Sequence, residues 1–321
     1  MKLRIGVVGA GYLGTFHCDK YTQLQDAELA AVADTDEAKR TAAHDRFGVD
    51  TYGDYRELYG LVDAVSVVVP TVSHYDVAGY FLRKGIPVLL EKPIADTVSH
   101  ARKLVKAAEE NNVAFQIGHL ERFNSAIRTV SGMIKRPVFI EAHRLSPFTV
   151  RGTDVDVVRD LMIHDLDIIF SLIRSDVVSV DAVGVPVLTD KIDIANARLK
   201  FKNGCVANVT ASRVSSEKMR KIRLFQRDSY FSIDYGTSRV NIIRVNQCPQ
   251  PELEAKQLEI SKEDSLLEEI KSFIHAVKTK NDPVVKGRDG LLALENAFKI
   301  LGKIEKNLKV VGYEKGPDNS R

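Results

Sequence analysis

Cysteine is scarce in this chain, and the three present, Cys18, Cys205 and Cys248, stand far apart with no CxxC spacing. A disulfide framework and a thiolate zinc site are therefore not expected, and the pattern fits a reducing compartment. Tryptophan is absent and Phe and Tyr are scattered, which counts against a reductase of a large apolar ring such as a linear tetrapyrrole. No apolar run reaches membrane-spanning length, and the one near the N-terminus is broken by glycines before it can act as a signal segment. The expectation is a soluble cytoplasmic protein with no membrane partner. Neither charge dominates, with Lys+Arg 46 against Asp+Glu 43 and a net charge of +3, so no nucleic-acid partner is expected. No His/Cys/acid cluster has ligand spacing, and no metal is expected.

What is present is an alternation of apolar runs and helical patterns. A chain of 321 residues is long for one core, and two domains are the natural reading. Strand candidates in the first third are Leu3 to Val8, Glu28 to Ala33, Ala64 to Val69, Pro87 to Leu90 and Ala114 to Ile117, with helices between them, including one from Ser99 to Asn111. That alternation predicts a doubly wound α/β domain on a parallel sheet over residues 1–120. Beyond it come a helical piece at Asn124 to Ile134, a strand at Val138 to Leu145 and a helix from Val157 to Ile173. A series of strand-like runs from Val178 to Val245 follows, several alternating with period two, then amphipathic helices at Ser265 to Lys278 and Gly287 to Leu308. These predict a second, α+β domain over 121–312 with a largely antiparallel sheet, followed by a polar tail at 313–321.

Gly9-Ala10-Gly11-Tyr12-Leu13-Gly14 lies between the first apolar run and the first helical segment, the context a dinucleotide-binding turn requires. Gly9 permits the sharp turn, Gly11 lets backbone approach a pyrophosphate, and Gly14 allows close helix–strand packing. The free N–H groups of the helix start, with Tyr12 and Leu13 among them, face the phosphates. Asp34 ends the next apolar run 20 residues after Gly14, the offset of a ribose-binding acid that repels a 2′-phosphate, so NAD is favoured over NADP. Lys39 and Arg40 soften that preference if they face the cofactor; the alternative is a solvated helix face.

Two further features carry chemistry. Glu91-Lys92-Pro93 follows the strand Pro87 to Leu90, at the end where open α/β sheets place ligands. Asp160 and His164 are four residues apart, which in an α-helix puts carboxylate and imidazole on one face, able to share a ligand. A surface lysine and a surface acid–histidine pair are the alternatives.

The fingerprint, Glu91-Lys92-Pro93 and Asp160-x-x-x-His164, in this order and at these separations, resemble the Gfo/Idh/MocA family of oxidoreductases over nearly the whole chain. Pro70-Thr71-x-x-His74 is similar to the family's loop beside the nicotinamide. Gly118-His119-Leu120-Glu121-Arg122-Phe123 resembles its segment joining the domains, with His119 and Arg122 as candidate substrate contacts. The resemblance implies an N-terminal Rossmann domain that holds NAD through Gly9, Gly11, Tyr12, Leu13, Gly14, Asp34, Pro70, Thr71, His74, Glu91 and Lys92. It also implies an open-faced C-terminal sheet used to form a homodimer or homotetramer, and oxidation or reduction at a sugar or cyclitol carbon. Lys92, Asp160 and His164 are its implied catalytic residues. Either His164 removes the hydroxyl proton while Lys92 stabilises the alkoxide, or Lys92 itself exchanges the proton. Bulky Val157-Val158-Arg159 and Met162 depart from the family's glycine-rich surroundings of the Asp, and Ser125 stands where proline is common.

Within the family, Gly118 to Asn124 and Asp160 to Asp167 are most similar to the branch that oxidises C3 of UDP-N-acetylglucosamine. A diphosphate substrate needs cations, and Arg144, Arg151 and Arg213, with Lys218 and Arg220, are expected in or beside turns of the second domain. The competing readings are a free inositol or hexose dehydrogenase and, outside the enzymes, an NAD-sensing protein.

Overall fold

The computed structural model describes residues 2–149, 155–246 and 252–313. The chain forms two units, Met1–Phe123 with Asp264–Leu294, and Asn124–Glu263 with Glu295–Arg321.

The first unit is built on a 6-stranded sheet in the order β3-β2-β1-β4-β5-β6. Its strands are β1 (Leu3–Val8), β2 (Ala27–Ala33), β3 (Asp50–Tyr52), β4 (Ala64–Val67), β5 (Val88–Glu91) and β6 (Phe115–Gly118). All neighbouring pairs are parallel. This is the dinucleotide-binding order, and the direction of winding reverses between β1 and β4. The central strands read as continuous apolar runs because helices cover both faces of such a sheet. Helices α1 (Tyr12–Thr22), α2 (Glu37–Phe47), α3 (His74–Arg83) and α4 (Val98–Glu110) make the crossovers. Side chains of Asp36 and Thr97 accept backbone N–H bonds at the starts of α2 and α4, whereas α1 starts at Gly11 with no side-chain cap.

The second unit carries an 8-stranded sheet in the order β14-β13-β12-β11-β7-β10-β9-β8. Its strands are β7 (Phe139–Leu145), β8 (Val177–Val185), β9 (Ile194–Phe201), β10 (Val206–Ser212), β11 (Met219–Gln226), β12 (Ser229–Asp234), β13 (Arg239–Asn246) and β14 (Glu252–Glu259). Every pairing is antiparallel except β7 with β10. In β9 exposed and buried residues alternate strictly, the pattern of a sheet with one covered face. That face packs Ala142, Leu199, Val209, Ile222 and Phe231 with residues of α5 (Ser125–Ser131) and α6 (Ile163–Ile173) such as Ile127, Ile168 and Ile169. The region expected to be one α-helix from Val157 to Ile173 is in fact a π-helical turn at Val158–Met162 running into α6.

Two helices complete the chain, α7 (Ser265–Thr279) and α8 (Gly287–Val310). The division differs from a single cut at residue 120, because α7 and the first residues of α8 belong to the first unit. Ile270, Phe273 and Ile274 of α7 pack into one core with Ile5, Val7, Tyr21 and Leu29. Full burial of side chains of this size stabilises by about 1.5–3 kcal/mol each. At the start of α8 a Cβ on Gly287 would stand 2.4 Å from the Phe115 ring and one on Gly290 2.8 Å from Ile117; glycine lets this segment lie directly on β6. Arg151, Cys248 and the tail 314–321 lie outside the described residues. Among the described residues no helix is long and apolar enough to cross a membrane.

Candidate functional site

In the first unit the singled-out segments all follow carboxyl ends of strands. The glycine turn follows β1, Asp34 follows β2, Pro70 and Thr71 come after β4, Lys92 after β5 and His119 after β6. That edge of an open α/β sheet is its ligand-binding edge.

The glycine turn is shaped by contact on one side and open on the other. Gly9 has φ +100°, and a Cβ there would stand 2.4 Å from the Val68 carbonyl oxygen; one at Gly14 would stand 1.7 Å from the Gly9 carbonyl oxygen. A Cβ at Gly11 would meet nothing within 4 Å, so the open side is where a diphosphate can approach the backbone. Tyr12 and Leu13, 63% and 45% exposed, stand at this open start of α1. The Asp34 carboxylate accepts the Ala10 N–H at 2.7 Å and the Asp36 N–H at 2.9 Å, which ties the turn to the end of β2. Each carboxylate oxygen keeps a lone pair for a ribose hydroxyl. The glycines, the uncapped helix start and the acid together fit NAD. Arg40 does not stand free: its guanidinium donates to the carbonyls of Asp34 and Thr35 at 2.9 and 3.1 Å, while Lys39 pairs with Asp36.

Lys92 is half-buried directly after β5, and its bond to Pro93 is cis. Its neighbour Glu91, expected at the cofactor, turns its carboxylate to α1: Oε1 lies 3.3 Å from Nε2 of His17, and Oε2 accepts the Lys92 N–H at 3.2 Å. Burial pushes the Glu91 carboxyl up, but His17 and Lys92 outweigh it, and the net effect is a carboxyl below its ordinary range. His74 is buried, its ring nitrogens each 2.9 Å from a carbonyl oxygen, Nδ1 from Pro93 and Nε2 from Val69. Its one N–H donates to one of these carbonyls, and the ring packs between the Lys92-Pro93 turn and the end of the β4 segment. Burial, opposed by those carbonyls, holds its pKa below the ordinary histidine value. Pro70 is exposed and Thr71 starts a short 3₁₀ turn beside it. His119 is 1% exposed, and burial, aided by Arg122 and Lys92, pushes it down to about 3; it is a neutral imidazole below the rim. Half-exposed Arg122 donates to the Val284 carbonyl at 3.3 Å.

In the second unit Asp160 lies within the π-helical turn and His164 in the first turn of α6. Both are half-buried. Bonds that reach five residues instead of four widen the turn, so the two do not stack as in a regular α-helix; such turns recur at functional sites. Asp156 opens the segment, its carboxylate accepting the Arg159 N–H at 2.9 Å and pairing with the Arg159 guanidinium at 2.6 Å.

Two of the arginines expected in or beside turns are buried, Arg213 in the bend that follows β10 and Arg144 near the end of β7. Arg144 lies inside β7 and is 3% exposed; Nε and Nη2 reach Asp165, the residue after His164, at 2.8 and 3.0 Å. Its guanidinium also stands 5.7 Å from the Tyr235 ring centre. Arg213, 5% exposed, donates to the Val155 carbonyl at 2.7 Å and lies 3.8 Å from Asp193. Arg144 is held in a buried bidentate pair, and Arg213 is held by a backbone carbonyl beside a buried carboxylate; neither forms part of an exposed positive rim.

Sequence reasoning passed over His17, Tyr21 and Ser66. The signal was a serine within the apolar run of β4 and a histidine three residues after the last glycine of the fingerprint, since a polar residue in a doubly covered strand needs a partner.

Comparison with known proteins agrees with this geometry. Residues 3–119 match the family model described as oxidoreductase family, NAD-binding Rossmann fold, and residues 126–230 match the GFO/IDH/MocA C-terminal domain. The chain is 34% identical over 309 residues to the UDP-N-acetylglucosamine 3-dehydrogenase of Acidithiobacillus ferrooxidans, covering 95% of this chain and 98% of that one. The solved structure of that enzyme superposes with a TM-score of 0.90, over 96% of this chain and 99% of the other. The myo-inositol 2-dehydrogenase of Thermotoga maritima is 26% identical over 314 residues, covering 91% of this chain and 93% of the relative. The chain therefore belongs to the Gfo/Idh/MocA family: it is an oxidoreductase whose first domain is an NAD-binding Rossmann fold.

Proposed function

We propose that the protein oxidises a ring hydroxyl of a UDP-sugar, at C3 of UDP-N-acetylglucosamine or of a close relative, with NAD. The observation that carries this reading is the 34% identity to a UDP-N-acetylglucosamine 3-dehydrogenase across almost the full length of both chains. NAD, when bound, takes a hydride from the substrate carbon. His164 removes the hydroxyl proton on a ring nitrogen, the Lys92 ammonium stabilises the developing alkoxide through Nζ, and Asp160 orients substrate or imidazole. Arg122 and Arg151 supply positive charge to the diphosphate. Asp34 selects NAD over NADP by repelling a 2′-phosphate.

A second reading, oxidation of a free cyclitol or hexose, is favoured by one observation: Arg144 and Arg213 are engaged in buried pairs and are not spare cations for a diphosphate. NADH formation from UDP-N-acetylglucosamine, UDP-glucose, N-acetylglucosamine and myo-inositol separates the two. Turnover confined to the UDP-sugars supports the first, and turnover of myo-inositol with none of a UDP-sugar supports the second. We further propose that the protein forms homo-oligomers through the uncovered sheet face, where Phe139, Phe225 and Tyr230 meet as ring contacts.

A further inference from the structure

Beneath the ligand-binding edge of the first unit runs a chain of buried polar groups that no catalytic role described so far uses. The Tyr21 hydroxyl lies 2.7 Å from Ser66 Oγ, Ser66 Oγ lies 3.3 Å from His17 Nδ1, and His17 Nε2 lies 3.3 Å from Glu91 Oε1. His17, Tyr21 and Ser66 are each at most 1% exposed. The chain crosses three elements: α1 supplies His17 and Tyr21, β4 supplies Ser66 and β5 ends in Glu91.

One placement of protons satisfies every member. Burial keeps the Tyr21 phenol protonated, and it donates to Ser66 Oγ. With His17 Nδ1 as acceptor, the Ser66 hydroxyl donates to it, and the His17 Nε2–H donates to the Glu91 carboxylate. The carboxylate's other oxygen accepts the Lys92 N–H, so the imidazole and the Lys92 peptide grip the same group from two sides. On a third side β6 presents Gly118, where an added Cβ would stand 3.2 Å from the Glu91 Cδ and Oε1. Glycine there leaves the space the carboxylate occupies. The His17 ring and the Lys92 N–H hold the carboxylate between them, and the peptide that follows it inherits that position.

We infer that His17 is a positioning residue for the Lys92 ammonium, acting through the Glu91 carboxylate. The inference rests on the catalytic role proposed for Lys92. Without the His17 N–H the carboxylate loses its hold on the side of α1, and the Lys92 peptide gains freedom at the point where its side chain leaves the strand.

The test measures kcat, KM for the sugar substrate and NADH dissociation constants for His17→Leu, His17→Gln, Gly118→Ala and Lys92→Ala. His17→Leu removes both hydrogen bonds at similar volume. Its kcat is expected to fall by up to about 100-fold, the cost of a reacting group misplaced by about 1 Å, with NADH affinity unchanged. His17→Gln returns an N–H near the place of Nε2 and is expected to recover most of the lost kcat. Gly118→Ala displaces the carboxylate from the opposite side and is expected to lower kcat in the same way. It decides the matter if His17→Leu does not fold, since a kcat equal to wild type in Gly118→Ala would then contradict the inference. Wild-type kcat in a folded His17→Leu, or a loss in NADH affinity equal to the loss in kcat, overturns it. If Lys92→Ala is fully active, the catalytic reading of Lys92 falls and the inference falls with it. If Lys92→Ala is inactive while His17→Leu is not impaired, the inference alone fails.

Discussion

An added Cβ on Gly14 would stand 1.7 Å from the carbonyl oxygen of Gly9, whereas one on Gly11 would meet nothing within 4 Å. The three glycines of one short motif therefore serve different ends, and substitution separates them. Gly11→Ala is expected to leave thermal stability unchanged while weakening NAD binding by at least about tenfold, or about 1.4 kcal/mol. Gly14→Ala must push helix from strand, and the unit should lose stability by about 1–3 kcal/mol or more, the cost of overpacking. Calorimetry beside NADH titration checks both; normal NAD affinity in Gly11→Ala would remove the diphosphate from this turn.

Asp34 holds the turn through Ala10 and presents its charge at the end of β2. Asp34→Asn keeps an acceptor oxygen but drops the charge, so the preference for NAD over NADP, read as a ratio of kcat/KM, should shrink by about tenfold, or about 1.4 kcal/mol. A ratio that does not move would assign cofactor choice to another residue.

Arg144 and Asp165 form a buried bidentate pair next to His164. Arg144→Ala leaves a buried carboxylate uncompensated and should cost about 3–5 kcal/mol in urea unfolding. Arg144→Met combined with Asp165→Leu should recover most of that stability, because the desolvation of both charges is also removed. If turnover recovers along with stability, the pair serves only the fold; if it stays low, the pair also orients the start of α6.

Acid should loosen the first unit through His119. Its pKa is held at about 3 by burial, against about 6.5 in an unfolded chain. The unfolded state therefore takes up the proton first as pH falls. The contribution is fully present above about pH 6.5 and is lost between there and about pH 3, at up to about 1.4 kcal/mol per pH unit. His74, also held low by burial, acts with the same sign. His119→Gln should flatten the dependence of melting temperature on pH in that window, and an unchanged slope would show that His119 titrates alike in the folded and unfolded chain.

Much of this was legible in the chain. The strands β1, β2, β4, β5 and β6 are apolar runs because both faces of their sheet are covered, and β9 alternates because one face of its sheet is not. The short β3 and the charge-rich, exposed β14 gave no such signal. Amphipathic α7 announces an apolar face without saying which core receives it, and it joined the first unit. Apolar spacing does not distinguish a π-helical turn from an α-helix, which is why Val158–Met162 was expected to be regular. The partners of Arg144 and Glu91 are 21 and 74 residues away, and no local pattern pairs residues over such distances. Composition therefore located the charges but not their partners.

The central claim is that Lys92 acts on the substrate hydroxyl and not on the cofactor's affinity. The direct measurement is NADH formation from UDP-N-acetylglucosamine by wild type and Lys92→Ala, with NAD dissociation constants for both. A kcat lower by about 10²–10⁴-fold in the variant, the usual range for a positioned acid–base group, at nearly unchanged NAD affinity is the predicted result. Equal turnover in the two proteins would contradict it.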